Sequence, residues 1–168
     1  MIPTLQSDRL TLRAYQPSDW DTYCGLMASD RSTGMGGPVD AEKAWGWFTN
    51  DTASWVLFGF GTLAIIEDGK LAGFAGLVKP PSFPEPECGW ALYDGFTGRG
   101  IATEAARMIL DYTFQATDLE TIVSYVGHDN MASQNVAKRL GGVLDPDAKT
   151  PFDQATRVYR HSPTRSFP

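Results

Sequence analysis

Two cysteines and two histidines in 168 residues leave little from which to build a disulfide framework or a metal centre. Cys24 and Cys88 lie far apart, with no C-x-x-C spacing. His128 and His161 have no histidine partner at i+4, so no metal site is expected. This cysteine usage fits a reducing, cytoplasmic setting. Long hydrophobic runs are also missing: no segment approaches the length of a membrane span. The stretch MIPTLQSDRL has no basic region followed by an apolar one, so no secretory signal is read. Positive charge is in deficit, with 14 Lys and Arg against 20 Asp and Glu. The net charge of −6 argues against a nucleic-acid partner, which calls for a basic face. An acidic surface attracts cationic amines, but it serves solubility equally well. There is no internal repeat and no low-complexity stretch. A hydrophobic content of 42% suits one soluble domain over residues 1–168.

Hydropathy patterning supplies the elements. SDRLTLRAY (7–15) alternates, with Leu10, Leu12 and Ala14 on one side, and predicts a half-buried strand. Pro17-Ser18-Asp19 predicts a helix start, capped by Ser18 or Asp19, for a helix running to about Ser29. Residues 30–39 read as a glycine-rich loop and 41–53 as a second helix. TLAIIEDGKLAGFAGLV (62–78) is a hairpin turned at Asp68-Gly69, a pair suited to positive φ at both positions. Pro80 to Pro86 form a short proline-rich link. CGWALYD (88–94) is a strand, 102–116 a helix, 121–126 a strand and 131–140 a helix. Asp129-Asn130 caps the last of these and Gly141-Gly142 ends it. VLDP and 155–161 complete an order β-α-α-β-β-β-α-β-α-β-β. The class is α/β (α+β): a mixed central sheet with helices on both faces.

The turn FTGRGIATEA (96–105) joins a strand to a helix. Such a turn exposes unpaired N–H groups at the positive end of the helix dipole. Gly98 and Gly100 would let a phosphate approach the backbone, and Arg99 would add a cation at the rim. On spacing alone, a plain glycine turn and an anion seat stand level. The stretch is not a Walker A loop, because no G-K-S/T follows. It is not G-x-G-x-x-G, because Thr103 occupies the third glycine's place. Those absences disfavour a generic phosphate-binding α/β domain.

GRGIATEA (98–105) resembles the acetyl-CoA loop of the Gcn5-related N-acetyltransferase (GNAT) superfamily, Q/R-x-x-G-x-G/A followed by a helix opening A-T-E-A. Thr97 stands at the Q/R position, Gly100 at the glycine and Ala102 at the G/A. The departure at Thr97 resembles the branch of the Rim-type ribosomal-protein N-acetyltransferases. Other segments match in order. SDRLTLRAYQPSD is similar to T-x-R-L-x-L-R-x-x-x-x-x-D, and DGKLAGFAGL to D-G-x-x-I-G-x-x-G-L. ECGWALYDGF is similar to E-I-G-Y-W-L. HDNMASQNVAKRLGG is similar to N-x-x-S-x-x-V-x-x-x-L-G-F, with Gly142 in place of the phenylalanine. The likeness covers roughly residues 5–160.

The resemblance implies a GNAT fold with a mostly antiparallel sheet, and transfer of acetyl from acetyl-CoA to a primary amine in a ternary complex. The acceptor is a protein N-terminus or a small-molecule amine, and relatives often form homodimers. The resemblance also assigns coenzyme contacts: Trp90, Ala91 and Leu92 along the pantetheine arm, and Thr97, Gly98, Arg99, Gly100, Ile101, Ala102 and Thr103 around the pyrophosphate. Asn130 and Ser133 line the far side. A lysine-type amine is protonated at neutral pH and needs a base. Glu87 is the candidate, against the plainer reading of a solvent-facing glutamate at a strand start. Many relatives place a tyrosine acid where Ala137 stands here. Ser133 is the substitute, against an ordinary first-turn serine. A thiolate can also leave unaided. Alternation puts Cys88 on the face opposite Glu87, which disfavours a cysteine nucleophile. The aromatic run from Trp45 to Phe60 is expected to be mostly core, partly acceptor wall. Residues 34–37 are either a lid over that wall or a linker. The alternative in another class is a CoA-binding sensor without turnover.

Overall fold

The computed structural model describes residues 1–152 and 155–163. The chain opens with a short hairpin, β1 (Leu5–Gln6) and β2 (Leu10–Arg13). A 3-10 turn at Pro17–Asp19 leads into α1 (Trp20–Met27). Asp19 does not cap this helix through its side chain. Its carboxylate turns back instead, accepting both Arg13 Nη atoms at 2.7 and 2.9 Å and the Gln16 N–H at 2.8 Å. That fork-on-fork pair ties α1 to β2.

A second 3-10 turn occupies Asp30–Met35, where the glycines suggested loop. Buried Ser32 is its hub: its hydroxyl donates to the Met27 and Ser29 carbonyls. Helix α2 (Ala41–Phe58) is capped by Asp40, which accepts the Lys43 N–H at 2.8 Å. It outruns the expected end near residue 53. The polar run Thr49–Ser54 breaks the apolar periodicity, but its hydroxyls bond carbonyls one turn back and the helix continues to Gly59. Strands β3 (Thr62–Glu67) and β4 (Lys70–Val78) turn at Asp68 and Gly69, with φ of 49° and 73° as a type I′ turn requires.

The remaining elements are β5 (Glu87–Leu92), α3 (Ile101–Ala116), β6 (Ile122–Gly127), α4 (Met131–Arg139), β7 (Val143–Leu144) and β8 (Thr156–His161). The eight strands run in the order β1-β2-β3-β4-β5-β6-β8-β7. Every neighbour is antiparallel except β5 and β6.

Period-two alternation sends side chains to both faces. Leu10, Leu12, Leu63, Ile65, Ala75, Leu77, Cys88 and Ile122 meet Ile101, Ala105 and Ile109 of α3 in the main core. Phe74 and Tyr93 point the other way, against Tyr23 and Met27 of α1 and Phe48 of α2. Phe48, Trp55 and Phe60 of the aromatic run are buried, whereas Trp45 and Phe58 are exposed. Gly142 has a steric reason: a Cβ there would lie 2.8 Å from both the Ala137 carbonyl and the His161 ring. The imidazole fills the space a side chain at position 142 would need.

Candidate active site

The centre of the molecule is a fork. β5 pairs with β4 along its whole length, from Val78↔Glu87 to Gly73↔Leu92. On its other edge it makes one ladder pair with β6, Glu87↔Val123. β6 meanwhile pairs with β8 throughout. The two parallel strands therefore diverge immediately beyond Glu87.

Two side chains complete the last rung. In a continued parallel ladder the Tyr125 N–H would donate to the Cys88 carbonyl. Instead Ser124 Oγ donates to that carbonyl at 2.7 Å, and the Tyr125 N–H reaches Glu87 Oε1 at 3.4 Å. Ser124 in turn lies 3.0 Å from His161 Nε2. Since the hydroxyl proton goes to the carbonyl, Nε2 must carry the imidazole proton. Burial, with Arg107 adding to it, pushes the His161 pKa down to about 4.

The Tyr93 N–H donates to the Ala72 carbonyl at 2.9 Å, so the backbone of residue 93, and by alternation of 91 and 89, faces β4. The backbone of Trp90 and Leu92 then faces the fork. The Leu92 carbonyl there accepts Arg31 Nη2 at 2.7 Å, while Arg31 Nη1 binds Asp94 at 2.6 Å. The N–H groups of Trp90 and Leu92 point into the same opening, where β6 offers no ladder partner.

Past β5 the chain turns through three positive-φ glycines, Gly95, Gly98 and Gly100. Gly100, at φ 77°, opens α3 with no side-chain cap, so the first N–H groups of the helix have no intrahelical or capping partner. Thr97, Gly98, Arg99 and Gly100 are exposed. Ile101 and Ala102 turn their side chains into the core and Thr103 is half-buried, so Ile101 and Ala102 can offer a ligand only backbone. Trp90 packs its ring between the main core and the Val126–Ala137–Tyr159 cluster, so it too offers backbone. Across the fork, Asn130 caps α4 by accepting the Ser133 N–H at 3.0 Å. A Cβ on Gly34 would lie 3.9 Å from Asn130 Nδ2. The segment carrying Arg31 and Gly34 thus reaches from the end of β5 to the start of α4.

Glu87 sits half-buried where the strands diverge. Desolvation pushes its carboxyl up to about 7, against the opposing pull of the Tyr125 N–H. Cys88 is fully buried and its thiol is pushed up by desolvation, which suits core packing rather than attack. Ala137 is buried without exposure and carries no acid. Among the described residues no three His, Cys, Asp or Glu side chains gather as metal ligands, and no helix is long and apolar enough to cross a membrane.

Four contributors had no sequence signal. Arg31 and Ser124 act on backbone atoms that only the folded fork exposes. Buried Gln134 donates to the Gly127 and His128 carbonyls and accepts from Tyr159 and Arg157, fastening α4 to its strand. Glu67, buried at the end of β3, receives Arg99 from the glycine turn.

A family model described as an acetyltransferase (GNAT) domain matches residues 9–143. The crystal structure of an acetyltransferase from Agrobacterium tumefaciens str. C58 is 47% identical, superposes with a TM-score of 0.91, and covers 96% of this chain and 95% of its own. YkkB of Bacillus subtilis (strain 168) is 29% identical over 82% of this chain and 83% of its own length. RimL, a ribosomal L7/L12 alpha-N-protein acetyltransferase solved in complex with coenzyme A, has a TM-score of 0.77 over 95% of this chain and 98% of its own. At 18% identity that likeness shows the fold alone. The chain belongs to the GNAT family and is an acetyl-CoA-dependent N-acetyltransferase.

Proposed function

We propose that the chain, acting as one domain, transfers acetyl from acetyl-CoA to a primary amine within the fork, by direct attack. The acceptor class is a protein N-terminus or a small-molecule amine. The observation that carries this reading is the single ladder pair between β5 and β6, next to an uncapped helix start. The pantetheine arm takes the place of the missing strand neighbour, bonding the backbone of Trp90 and Leu92, while Ala91, whose backbone is turned to β4, makes no such bond. The N–H groups from Gly98 to Thr103 hold the pyrophosphate at the positive end of α3. Asn130 and Ser133 border the other side.

The chemistry follows from those positions. Glu87, directly or through a water, takes a proton from the ammonium form of the acceptor. The amine lone pair then attacks the thioester carbon. The Leu92 N–H, on the residue whose carbonyl Arg31 holds, stabilises the oxyanion. Collapse breaks the C–S bond and releases the thiolate, and the second proton lost by the attacking nitrogen reaches it through the Ser133 hydroxyl or through solvent. A thiol of pKa about 8.5 is a competent leaving group in either case.

The test is calorimetric titration of the protein with acetyl-CoA, followed by thiol release on mixing with a panel of free-N-terminal peptides, polyamines and aminoglycosides. Micromolar binding with thiol release on one class of amine is expected. An absence of binding would remove the coenzyme assignment.

A further inference from the structure

Glu67, the last residue of β3, is 4% exposed. Its carboxylate meets two guanidinium groups from distant points of the chain: Arg99 Nη2 at 2.8 Å and Arg9 Nη1 at 3.7 Å. Arg9 is itself held by Glu104 in the first turn of α3, through Nε at 2.7 Å, and Glu104 also accepts the Ser7 hydroxyl at 2.6 Å. The result is a continuous charged network, Ser7–Glu104–Arg9–Glu67–Arg99. It straps the glycine turn and the first turn of α3 to the β1–β2 turn and to the end of β3.

We propose that Glu67 is a positioning residue for coenzyme binding, and that Arg99 anchors the loop rather than contacting phosphate. The inference rests on the proposed coenzyme binding at the fork. Gly98 and Gly100 free the turn to adopt the positive φ it needs, but they also leave it loosely specified, since glycine has the most backbone freedom to lose. Between them stands one side chain, Arg99, and it is turned back onto a carboxylate that water scarcely reaches. An exposed ion pair contributes little. Here the carboxylate is desolvated and shared between two arginines, so removing a partner leaves a poorly compensated charge. The array of N–H groups is thereby set before a pyrophosphate arrives, which lowers the ordering cost of binding. In the opposite reading Arg99 is a phosphate ligand restrained by Glu67, and freeing it would tighten binding.

The discriminating pair of ligands is acetyl-CoA and S-acetylpantetheine, which shares the arm and lacks the pyrophosphate. In Glu67→Gln we expect the Kd for acetyl-CoA to rise about tenfold, the effect of roughly one charge-assisted hydrogen bond. The Kd for S-acetylpantetheine and the KM for the amine should hold within about twofold. Arg99→Gln, made from the exposed side of the pair, should show the same selectivity. The double variant should be no worse than the weaker-binding single one, as expected for two residues acting as a unit. Unchanged or tighter acetyl-CoA binding in Glu67→Gln overturns the proposal, as does equal loss for both ligands, which marks general loosening of the fold. A wild-type protein that binds neither ligand overturns the coenzyme reading itself, an outcome distinct from the others because it needs no variant.

Discussion

The Ser124 hydroxyl donates to the Cys88 carbonyl at 2.7 Å, and this bond stands where the next rung between β5 and β6 would have been. A sheet that opens in its middle strands two buried backbone groups, one on each side, and such groups must find partners. Ser124 supplies one and Glu87 the other. The vertex of the fork is thus closed by the protein's own hydrogen bonds. Ser124→Ala leaves both the Cys88 carbonyl and the His161 Nε2–H without that hydroxyl. We expect a loss of about 1–3 kcal/mol in unfolding free energy by urea titration. A change below about 0.3 kcal/mol would show that the rung is completed in another way.

Glu87 should govern the pH profile. Its carboxyl is pushed up to about 7, so the base form is the minor one in mild acid. If the ionised form accepts the proton, kcat rises with pH through about 7 and levels above it. Glu87→Gln should lower kcat by about 100-fold or more, abolish that rise, and leave acetyl-CoA affinity nearly unchanged. Stability should move the other way. A raised carboxyl pKa favours the protonated folded form, so the wild type loses stability as pH rises from about 4.5 through 7, and Glu87→Gln removes that loss. A variant that retains the wild-type rate profile would leave Glu87 with its Tyr125 contact alone.

His161 should make the fold acid-sensitive. Its pKa falls from 6.5 to about 4 on burial. The unfolded chain therefore takes up the proton first. The stabilisation is complete above about 6.5 and is lost as pH falls towards 4. His161→Gln, which can still donate to Ser124, should flatten the dependence of unfolding free energy on pH across that window. An unaltered slope would assign the acid sensitivity to other groups.

Much of this arrangement was legible in the sequence, for reasons that differ by element. The hairpin at Asp68-Gly69 was plain because two positive-φ positions need those residue types. The glycine turn, Glu87, Asn130 and Ser133 were singled out because ordered motifs carry them. The fork's supports were not legible. Ser124 reads as a small polar residue in an apolar strand, and Arg31 as a charge in a loop. Each acts on a carbonyl whose orientation depends on strand pairing. The bend of Arg99 towards Glu67 was equally hidden, since an arginine beside a glycine turn reads first as an anion ligand. Helix α2 was underestimated because hydroxyl side chains that fold back on carbonyls mask its period.

Gly142 offers the sharpest steric test. GNAT-like motifs place a phenylalanine here, and in this chain the His161 ring fills the space, with Cε1 2.8 Å from where a Cβ would sit. The Ala137 carbonyl is equally close, and it is backbone that also accepts the Gly142 N–H at 2.9 Å. A flexible side chain can move aside, but a helix-terminal carbonyl moves only with its helix. Gly142→Ala should therefore cost about 1–3 kcal/mol, and Gly142→Phe more. Combining Gly142→Ala with His161→Ala should recover only a fraction of the loss, because the Ala137 carbonyl stays in place. Unfolding free energies of the three variants decide the matter. Full recovery in the double variant would make the imidazole the sole obstacle, and a Gly142→Ala protein as stable as wild type would mean that α4 yields without cost.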